Sequence, residues 1–170
     1  MTKSSFRFCP QCGSCLFLRE IGDRARLACP KCNFVFYRNP VVGVAVILLE
    51  ENQVLLVRRA RGKYKGAWCI PCGYVEWEEE IRQAACRELL EETGLEVKVG
   101  PVYAVHSNFH DPQSHSVGIW FRGQMEEGNL APGDDVDAAE YFPLDQLPEN
   151  LAFPTDRKVL SQLKREAKNV

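Results

Sequence analysis

Apolar and polar positions alternate beyond residue 40 in a way that predicts a hairpin, three later strands and two helices. The apolar run Val41–Leu49 predicts a buried strand, and the turn at residues 50–52 leads into a second strand over residues 53–58. Further strands are predicted over residues 97–107, 116–124 and 140–142. Helices are predicted over about residues 78–93 and 154–168, where apolar side chains recur at helical spacing.

Three carboxylates share one face of the first predicted helix. Glu88, Glu91 and Glu92 lie at i, i+3 and i+4, which spans about 100° of the helix circumference. Gly94 follows as the predicted left-handed residue that ends the helix. Glu91 and Glu92 therefore lie in the last turn, where the helix dipole disfavours negative charge. This placement predicts a site for hard divalent cations, and a solvated acidic face is the alternative.

Residues before and after this helix lie at fixed distances from the three glutamates. Gly73 is followed after five residues by Glu79, and after seven more by Arg-Glu-Leu-Leu-Glu-Glu-Thr-Gly-Leu at residues 87–95. This arrangement resembles the signature of the Nudix hydrolase family. The resemblance implies an α/β/α sandwich with a mixed sheet. It also implies hydrolysis of a nucleoside diphosphate linked to a second moiety, with Mg²⁺ or Mn²⁺ as cofactor.

The resemblance assigns roles to the residues of this signature. Glu88 and Glu92 are expected to bind the catalytic metal, and Glu91 is expected to be a further ligand or to orient the attacking water. Arg87 would hold the glutamates in place by bidentate pairing, with Glu79 as its expected partner. The predicted catalytic residues are therefore Arg87, Glu88, Glu91 and Glu92.

Two more positions are expected to support the metal site. Gly73 would allow the loop to approach the metal closely. Asp135, in the stretch 133–144, takes the place of an acid that relatives carry before a late strand. Many relatives have Glu there, and an ordinary Asp-rich turn is the alternative.

Contacts to the organic part of the substrate are less clearly marked. Arg58 and Arg59 begin a basic loop over residues 58–66 that could meet phosphates, or that could be a solvated loop. Phe109, within a segment that holds all three histidines, is a candidate to stack on a base. The alternative for Phe109 is an exposed loop residue.

The eight cysteines include two knuckles of metal-binding spacing. Cys9 and Cys12 form the first Cys-x₂-Cys pair, and Cys29 and Cys32 form the second after 16 intervening residues. Four thiolates at this spacing predict a structural zinc site of ribbon type, with redox-active dithiols as the alternative. About 40 residues cannot bury enough core to fold alone, so the metal would supply the stability.

Bulk properties are those of an ordinary globular protein, with 45% hydrophobic and 26% charged residues. Residues 1–40 carry a net charge of +5 and residues 41–170 a net charge of −7, which could steer a polyanion. Residues 1–7 lack the apolar run of a secretory signal, and Val41–Leu49 is too short to cross a bilayer. We therefore expect a cytoplasmic protein without a membrane partner.

The predicted organisation is a zinc ribbon at residues 1–38 followed by a Nudix domain at residues 41–170. This combination resembles two enzyme groups. One comprises NADH pyrophosphatases that also remove NAD caps from RNA, but their tryptophan-containing motif is altered here at residues 107–114. The other acts on ADP-ribose or FAD and carries a late Ala-Pro-Gly and Leu-Ala-Phe, present here at residues 131–133 and 151–153. The second resemblance is better.

The leading hypothesis is metal-dependent hydrolysis of the pyrophosphate bond in a small dinucleotide of the ADP-ribose, FAD or NADH type. One alternative is a non-catalytic nucleotide sensor whose ribbon contacts nucleic acid or protein. Another is a hydrolase that removes NAD caps from RNA, with the basic ribbon as the docking module. A homodimer is compatible with the resemblance.

Overall fold

The computed structural model describes residues 6–168 of the 170, so residues 1–5 of the predicted ribbon and residues 169–170 lie outside the described part. The chain divides into two units, the first ending at Pro40 and the second starting at Val41. No helix within residues 6–168 is long and apolar enough to cross a membrane.

The first unit is a small three-stranded antiparallel sheet. Its strands, in the order β1-β2-β3, are β1 (Phe17–Ile21), β2 (Arg24–Ala28) and β3 (Val35–Phe36). Its core is small: Leu16 and two of the cysteines are buried, with Leu27 and Phe34 packed against them. So few buried side chains cannot offset the loss of chain entropy, which makes a metal cross-link necessary.

The four predicted zinc ligands lie together in this unit. The ligand atoms of Cys9, Cys12, Cys29 and Cys32 are all within 4.8 Å of one another, with Sγ–Sγ distances of 3.5 Å between Cys9 and Cys32 and 3.4 Å between Cys12 and Cys29. Sulfurs around a tetrahedral zinc ion with Zn–S bonds of about 2.3 Å are roughly 3.8 Å apart, so the cluster has the right size.

The second unit contains one mixed sheet and two helices. Its elements in chain order are β4 (Val41–Glu50), β5 (Gln53–Arg59), β6 (Trp68–Cys69), β7 (Cys72–Tyr74), α1 (Ile81–Thr93), β8 (Leu95–Asn108), β9 (Ser116–Gly128), β10 (Val136–Pro143) and α2 (Pro154–Ala167). The strand order is β10-β5-β4-β9-β8, with β6 beside β5 and β7 beside β4. Strands β4 and β9 are parallel and the other pairs are antiparallel.

Strand β4 separates the two halves of the core. Val44, Val46 and Leu48 pack on the α1 side, whereas Ala45 and Ile47 pack on the α2 side. Alternate residues of a strand point to opposite faces, so a strand covered by a helix on each side is apolar throughout. This explains the long apolar run and gives the predicted α/β/α sandwich.

The predicted hairpin of β4 and β5 and the closing helix α2 agree with the structure to within two residues. Helix α1 begins three residues later than predicted. Glu78 has a positive φ of 64°, which a helix does not accept, and the Glu80 side chain caps the helix by accepting from the Arg82 and Gln83 N–H groups. Strands β8, β9 and β10 are longer than predicted. The added end of β9, residues 125–128, is exposed, whereas β8 and β10 begin earlier, at the buried Leu95 and Val136.

The C-terminal end of α1 is closed by backbone contacts. Gly94 has φ 70°, as predicted, and its N–H donates to the carbonyl of Leu90. Ala131 and Gly133 donate their N–H groups to the carbonyls of Thr93 and Glu92 at 2.9 Å and 3.1 Å. The Ala-Pro-Gly segment therefore satisfies the last helical carbonyls and fixes the turn that carries the acids.

Replacing Cys32 by Ser should release the zinc and unfold the first unit, because three thiolates no longer close a tetrahedral site. Zinc content by elemental analysis and protease cleavage within residues 6–40 measure this. Cys15→Ser is the matched control, since Cys15 is exposed and lies outside the cluster. Equal zinc content in Cys32→Ser and Cys15→Ser would show that the four cysteines do not form the site.

Candidate active site

One cavity of about 460 Å³ in the second unit is lined by five of the predicted residues: Gly73, Glu88, Glu92, Asp135 and Arg59. It lies where β7, the end of β5 and the starts of β4 and β9 meet, and both helices contribute to its wall. Its acidic and basic lining residues are Glu76, Glu88, Glu92, Asp111, Asp134, Asp135, Asp156, Arg59, Arg61 and Lys63.

Glu88 reaches the cavity by occupying the space above Gly73. A Cβ on Gly73 would lie 1.9 Å from Cδ of Glu88, so any side chain at position 73 would displace the carboxyl group. Burial raises the pKa of Glu88, although Arg87 acts in the opposite direction. The glycine of the signature is therefore needed for space beside Glu88.

Glu92 is the most buried of the three helix glutamates Glu88, Glu91 and Glu92. Its side chain is 2% exposed, and its Oε2 accepts a hydrogen bond of 2.9 Å from the Cys72 N–H. Burial raises the pKa of Glu92 to about 8, and the nearby Asp135 and Glu88 act in the same direction. A buried carboxyl with a single hydrogen bond is stabilised in its charged form by a cation at the cavity surface.

Asp135 reaches the cavity from the loop before β10, and Arg59 reaches it from the end of β5. The Arg59 Nη2 lies 2.7 Å from Asp135 Oδ2, in a pair that is about three-quarters buried. The backbone also fixes this contact, because the Ala60 N–H donates to the Asp135 carbonyl at 2.8 Å. Arg59 therefore lies beside the acids and neutralises part of their charge.

Arg87 joins the loop before α1 to the acids of the helix. Its Nε and Nη2 bind the two carboxylate oxygens of Glu79 at 2.8 Å and 2.9 Å, which is the predicted bidentate pair. Its Nη1 contacts Glu88 at 2.9 Å and Glu91 at 3.1 Å, and its Nη2 also donates to the Tyr74 carbonyl. The bond from Arg87 lowers the pKa of Glu79 to about 2, so this acid stays charged.

Six residues predicted for the active site lie outside the cavity lining: Glu79, Arg87, Glu91, Gly94, Arg58 and Phe109. Glu91 is exposed and pairs with Arg87. Arg58 alternates away from Arg59 along β5 and binds Asp137 at 2.6 Å. Phe109 is 69% exposed and packs on the ring of His115, so it does not stack over the cavity.

Several lining residues have no counterpart among the sequence predictions. Tyr64 and Phe153 form an aromatic group with His110, which the sequence offered beside Phe109 as a stacking residue, and Thr155 and Asp156 come from the first turn of α2. An acid in a first helical turn usually serves the helix dipole, so the position of Asp156 gave no sign of the cavity. The Leu-Ala-Phe segment before Pro154 was the available signal, because it precedes this turn directly.

The carboxyl groups of the cavity are of the type that binds a hard divalent cation, but they are not gathered into a closed cluster: among residues 6–168, only the four cysteines have ligand atoms all within 4.8 Å of one another. Glu88, Glu92 and Asp135 bring three carboxyl groups from two segments into one cavity, and carboxylate oxygens are the ligands that Mg²⁺ and Mn²⁺ prefer. The burial of Glu92 agrees with this, since a cation would offset the cost of ionising that carboxyl group. Arg59 binds Asp135 Oδ2. Asp135 can therefore bind a cation when Arg59 releases Oδ2, or when the cation and Arg59 bind the same carboxylate together.

Comparison with known families agrees with this geometry. A family model described as NUDIX domain matches residues 39–163, and a second, described as Nudix N-terminal, matches residues 7–38. The chain belongs to the Nudix family. The predicted Nudix fold, the zinc ribbon and the Nudix hydrolase activity are therefore confirmed.

Individual Nudix proteins resemble the chain over different extents. An ADP-ribose pyrophosphatase of Methanocaldococcus jannaschii is 38% identical over 122 residues, which are 71% of this chain and 72% of that protein. An NAD-capped RNA hydrolase NudC of Stutzerimonas stutzeri is 31% identical over 161 residues, 94% of this chain and 55% of that protein. The chain thus spans about half the length of the NudC relatives it matches.

A solved Nudix structure resembles almost the whole chain. The crystal structure of a NUDIX hydrolase from Nitrosomonas europaea superposes with a TM-score of 0.85 at 34% sequence identity, and covers 96% of this chain and 93% of that one. The extent of this match includes the region of the first unit as well as the Nudix domain.

The Nudix signature glycine gives a direct test of the crowding at Glu88. Gly73→Ala should lower kcat at least about tenfold without unfolding the protein, because the added Cβ displaces the Glu88 carboxyl group. Activity is measured on the best substrate together with the thermal unfolding midpoint. Gly43→Ala is the control, since a Cβ there meets its nearest atom at 3.4 Å, an ordinary contact distance. Equal activity of both variants would contradict the assigned crowding.

Proposed function

We propose that this Nudix hydrolase cleaves the pyrophosphate of a nucleoside diphosphate linked to a sugar or second nucleotide, with ADP-ribose as the first candidate. The observation that carries this proposal is the meeting of Glu88, Glu92 and Asp135 beside Arg59 in one cavity. The M. jannaschii relative, whose name is ADP-ribose pyrophosphatase, supports the choice of substrate.

The residues of the cavity divide the work of the reaction. Glu88, Glu92 and Asp135 would hold Mg²⁺ or Mn²⁺, which when bound supplies charge neutralisation at the pyrophosphate and lowers the pKa of a bound water. Arg59, Arg61 and Lys63 lie at the same cavity and would bind phosphate oxygens. Accumulated positive charge there stabilises the negative charge that develops on the leaving phosphate.

Positioning is the role we propose for Arg87 and Glu91. Arg87 is held by both oxygens of Glu79 and in turn contacts Glu88, so it fixes the direction of that carboxyl group. Glu91 contacts the same guanidinium group from outside the cavity lining. In this proposal Glu91 completes the anchor around Arg87 and does not bind the metal.

Removal of NAD caps from RNA is a second candidate. The observation that favours it is the NudC match, which runs over 94% of this chain and so includes the ribbon as well as the Nudix domain. The positive charge of residues 1–40 suits a polyanion. Because the chain spans 55% of that relative, this activity is a proposal that needs its own substrate in the assay.

A panel of dinucleotides tests both candidates in one experiment. With Mg²⁺ or Mn²⁺ present, ADP-ribose, FAD, NADH, diadenosine polyphosphates and NAD-capped RNA are incubated with the protein, and the products are identified. We expect cleavage at the pyrophosphate, with ADP-ribose giving AMP and ribose 5-phosphate. Glu92→Gln should lose at least about 10²-fold in kcat, because it removes a carboxylate from the proposed cation site.

The control for this panel is Glu96→Gln, which removes an exposed acid four residues along the chain. Cleavage by Glu92→Gln at the wild-type rate would contradict the role given to Glu92. Binding of a nucleotide without cleavage of any compound, by folded and zinc-loaded protein, would instead favour the non-catalytic sensor.

A further inference from the structure

The cavity has a second polar group, on the α2 side of the sheet, that the proposed hydrolysis does not use. Asn108 and Ser116 lie opposite each other where β8 ends and β9 begins, and Thr155 and Asp156 lie in the first turn of α2. All four line the same cavity as Glu88 and Glu92. We call Asn108, Trp120, Phe153 and Thr155, together with Tyr64 and His110, the ring subsite.

Two side chains of the ring subsite have polar atoms without a partner in the described structure. Thr155 is 5% exposed, and its buried Oγ1 has no hydrogen bond. The buried Oδ1 of Asn108 also has none, although the Nδ2 of the same amide donates to Ser116 Oγ at 3.0 Å. A buried polar atom without a partner costs about 1–3 kcal/mol, so such atoms beside a cavity indicate a ligand that completes them.

Aromatic rings line the other part of the subsite. The Tyr64 ring lies 5.2 Å from the Phe153 ring, and the His110 ring lies 5.4 Å from Phe153. The indole of Trp120 occupies space that only Gly118 leaves free, because a Cβ at position 118 would lie 2.6 Å from the indole ring. These surfaces are flat and apolar, which suits the face of a planar heterocycle.

Asp156 is a positioning residue for this group. It is buried, and its carboxylate oxygens accept hydrogen bonds from the Trp120 Nε1–H at 3.2 Å and the Ile70 N–H at 3.1 Å. These two bonds join α2 to β9 and to the segment after β6. They hold Thr155 and Trp120 in one arrangement, since Thr155 is the neighbour of Asp156 on the first turn of α2.

The charges favour a neutral ring over a phosphate at this end of the cavity. Asn108, Thr155, Trp120 and Phe153 carry no charge, and the oxygens of Asp156 accept hydrogen bonds from Trp120 and Ile70. The cationic lining residues Arg59, Arg61 and Lys63 belong to β5 and its following loop, where the Lys63 Nζ lies 5.4 Å from the centre of the Tyr64 ring. A ligand with a charged middle and a planar neutral end therefore has complementary groups for both parts.

We propose that the ring subsite binds an amino-bearing nucleobase, with adenine as the type, through Asn108 and Thr155. The exocyclic amine donates to Asn108 Oδ1, and a ring nitrogen accepts from the Thr155 hydroxyl, while the aromatic side chains contact the ring. This proposal rests on the proposed function, because it identifies the nucleoside half of the substrate of that same cavity.

Paired substrates test the subsite without changing the protein. Hypoxanthine has a carbonyl in place of the adenine amine and a hydrogen on N1, the ring nitrogen that would accept from Thr155. It therefore offers Asn108 Oδ1 no donor at C6, and its N1 cannot accept from the Thr155 hydroxyl. We expect kcat/KM for ADP-ribose to exceed that for its hypoxanthine analogue by about tenfold or more, because buried polar groups would stay unpaired with the analogue. Equal values for the two substrates would overturn the proposal.

A matched pair of variants tests the hydroxyl of Thr155. Thr155→Val keeps the shape and removes the hydroxyl, whereas Thr155→Ser keeps the hydroxyl. Thr155→Val should raise KM for ADP-ribose about tenfold with a small effect on kcat, and it should reduce the preference over the hypoxanthine analogue. Thr155→Ser should keep the preference. Loss of the preference in both variants, or in neither, would contradict the assigned hydrogen bond.

Binding of AMP and IMP separates failure of the subsite from failure of the proposed function. Neither compound contains a pyrophosphate, so equilibrium dialysis with the full chain measures the subsite without turnover. Tighter binding of AMP than IMP by the wild type and Thr155→Ser, reduced in Thr155→Val, supports the subsite even when no dinucleotide is cleaved. Cleavage of ADP-ribose combined with equal AMP and IMP binding overturns the subsite and leaves the hydrolase activity in place.

Discussion

The second unit depends on holding several carboxyl groups close together in a partly buried place. Like charges repel one another, and burial disfavours the ionisation of each carboxyl group. The negative C-terminal end of the helix dipole disfavours that ionisation further. Helix α1 nevertheless presents Glu88 and Glu92 there, with the Glu92 side chain 2% exposed. The surrounding structure is arranged around this constraint: Arg87 anchors Glu88, the Cys72 N–H binds Glu92, and Arg59 pairs with Asp135.

The same constraint explains features that lie away from the acids. Gly73 has no side chain because Glu88 occupies that space. Gly133 can approach the helix closely because it also has none; a Cβ there would lie 2.6 Å from the Glu91 carbonyl oxygen. The segment around Gly133 satisfies the last carbonyls of α1 and then leads to Asp135. A single stretch of chain thus both closes the helix and supplies an acid to the cavity.

Sequence reasoning found the parts whose spacing is fixed by local geometry. The helical face of Glu88 and Glu92, the left-handed Gly94 and the four-cysteine cluster each depend on short-range periodicity or on a motif, so the sequence alone was sufficient. The Arg87–Glu79 pair is also local, because both residues lie within one loop and the following helix.

Contacts between distant segments were not predictable in the same way. Whether Arg58 or Arg59 faces the cavity depends on which face of β5 is turned towards it. The sequence shows two adjacent arginines, but it does not show the register of β5 in the sheet, which decides this. Phe109 is a plausible stacking residue by type, yet the turn after β8 directs it towards His115. Thr155 and Asp156 reach the cavity only because α2 packs against the sheet. This packing includes the hydrogen bond from Trp120 to Asp156, two residues that are 36 positions apart in the sequence.

Binding of Mn²⁺ to single-site variants tests the central claim most directly. Zinc-loaded wild type, Glu88→Gln, Glu92→Gln and Glu91→Gln are titrated with Mn²⁺, and the free ion is measured by electron paramagnetic resonance. We expect at least about tenfold weaker binding for Glu88→Gln and Glu92→Gln, and little change for Glu91→Gln, whose carboxylate lies outside the cavity lining. Unchanged binding in the first two variants, or a loss confined to Glu91→Gln, would contradict this expectation.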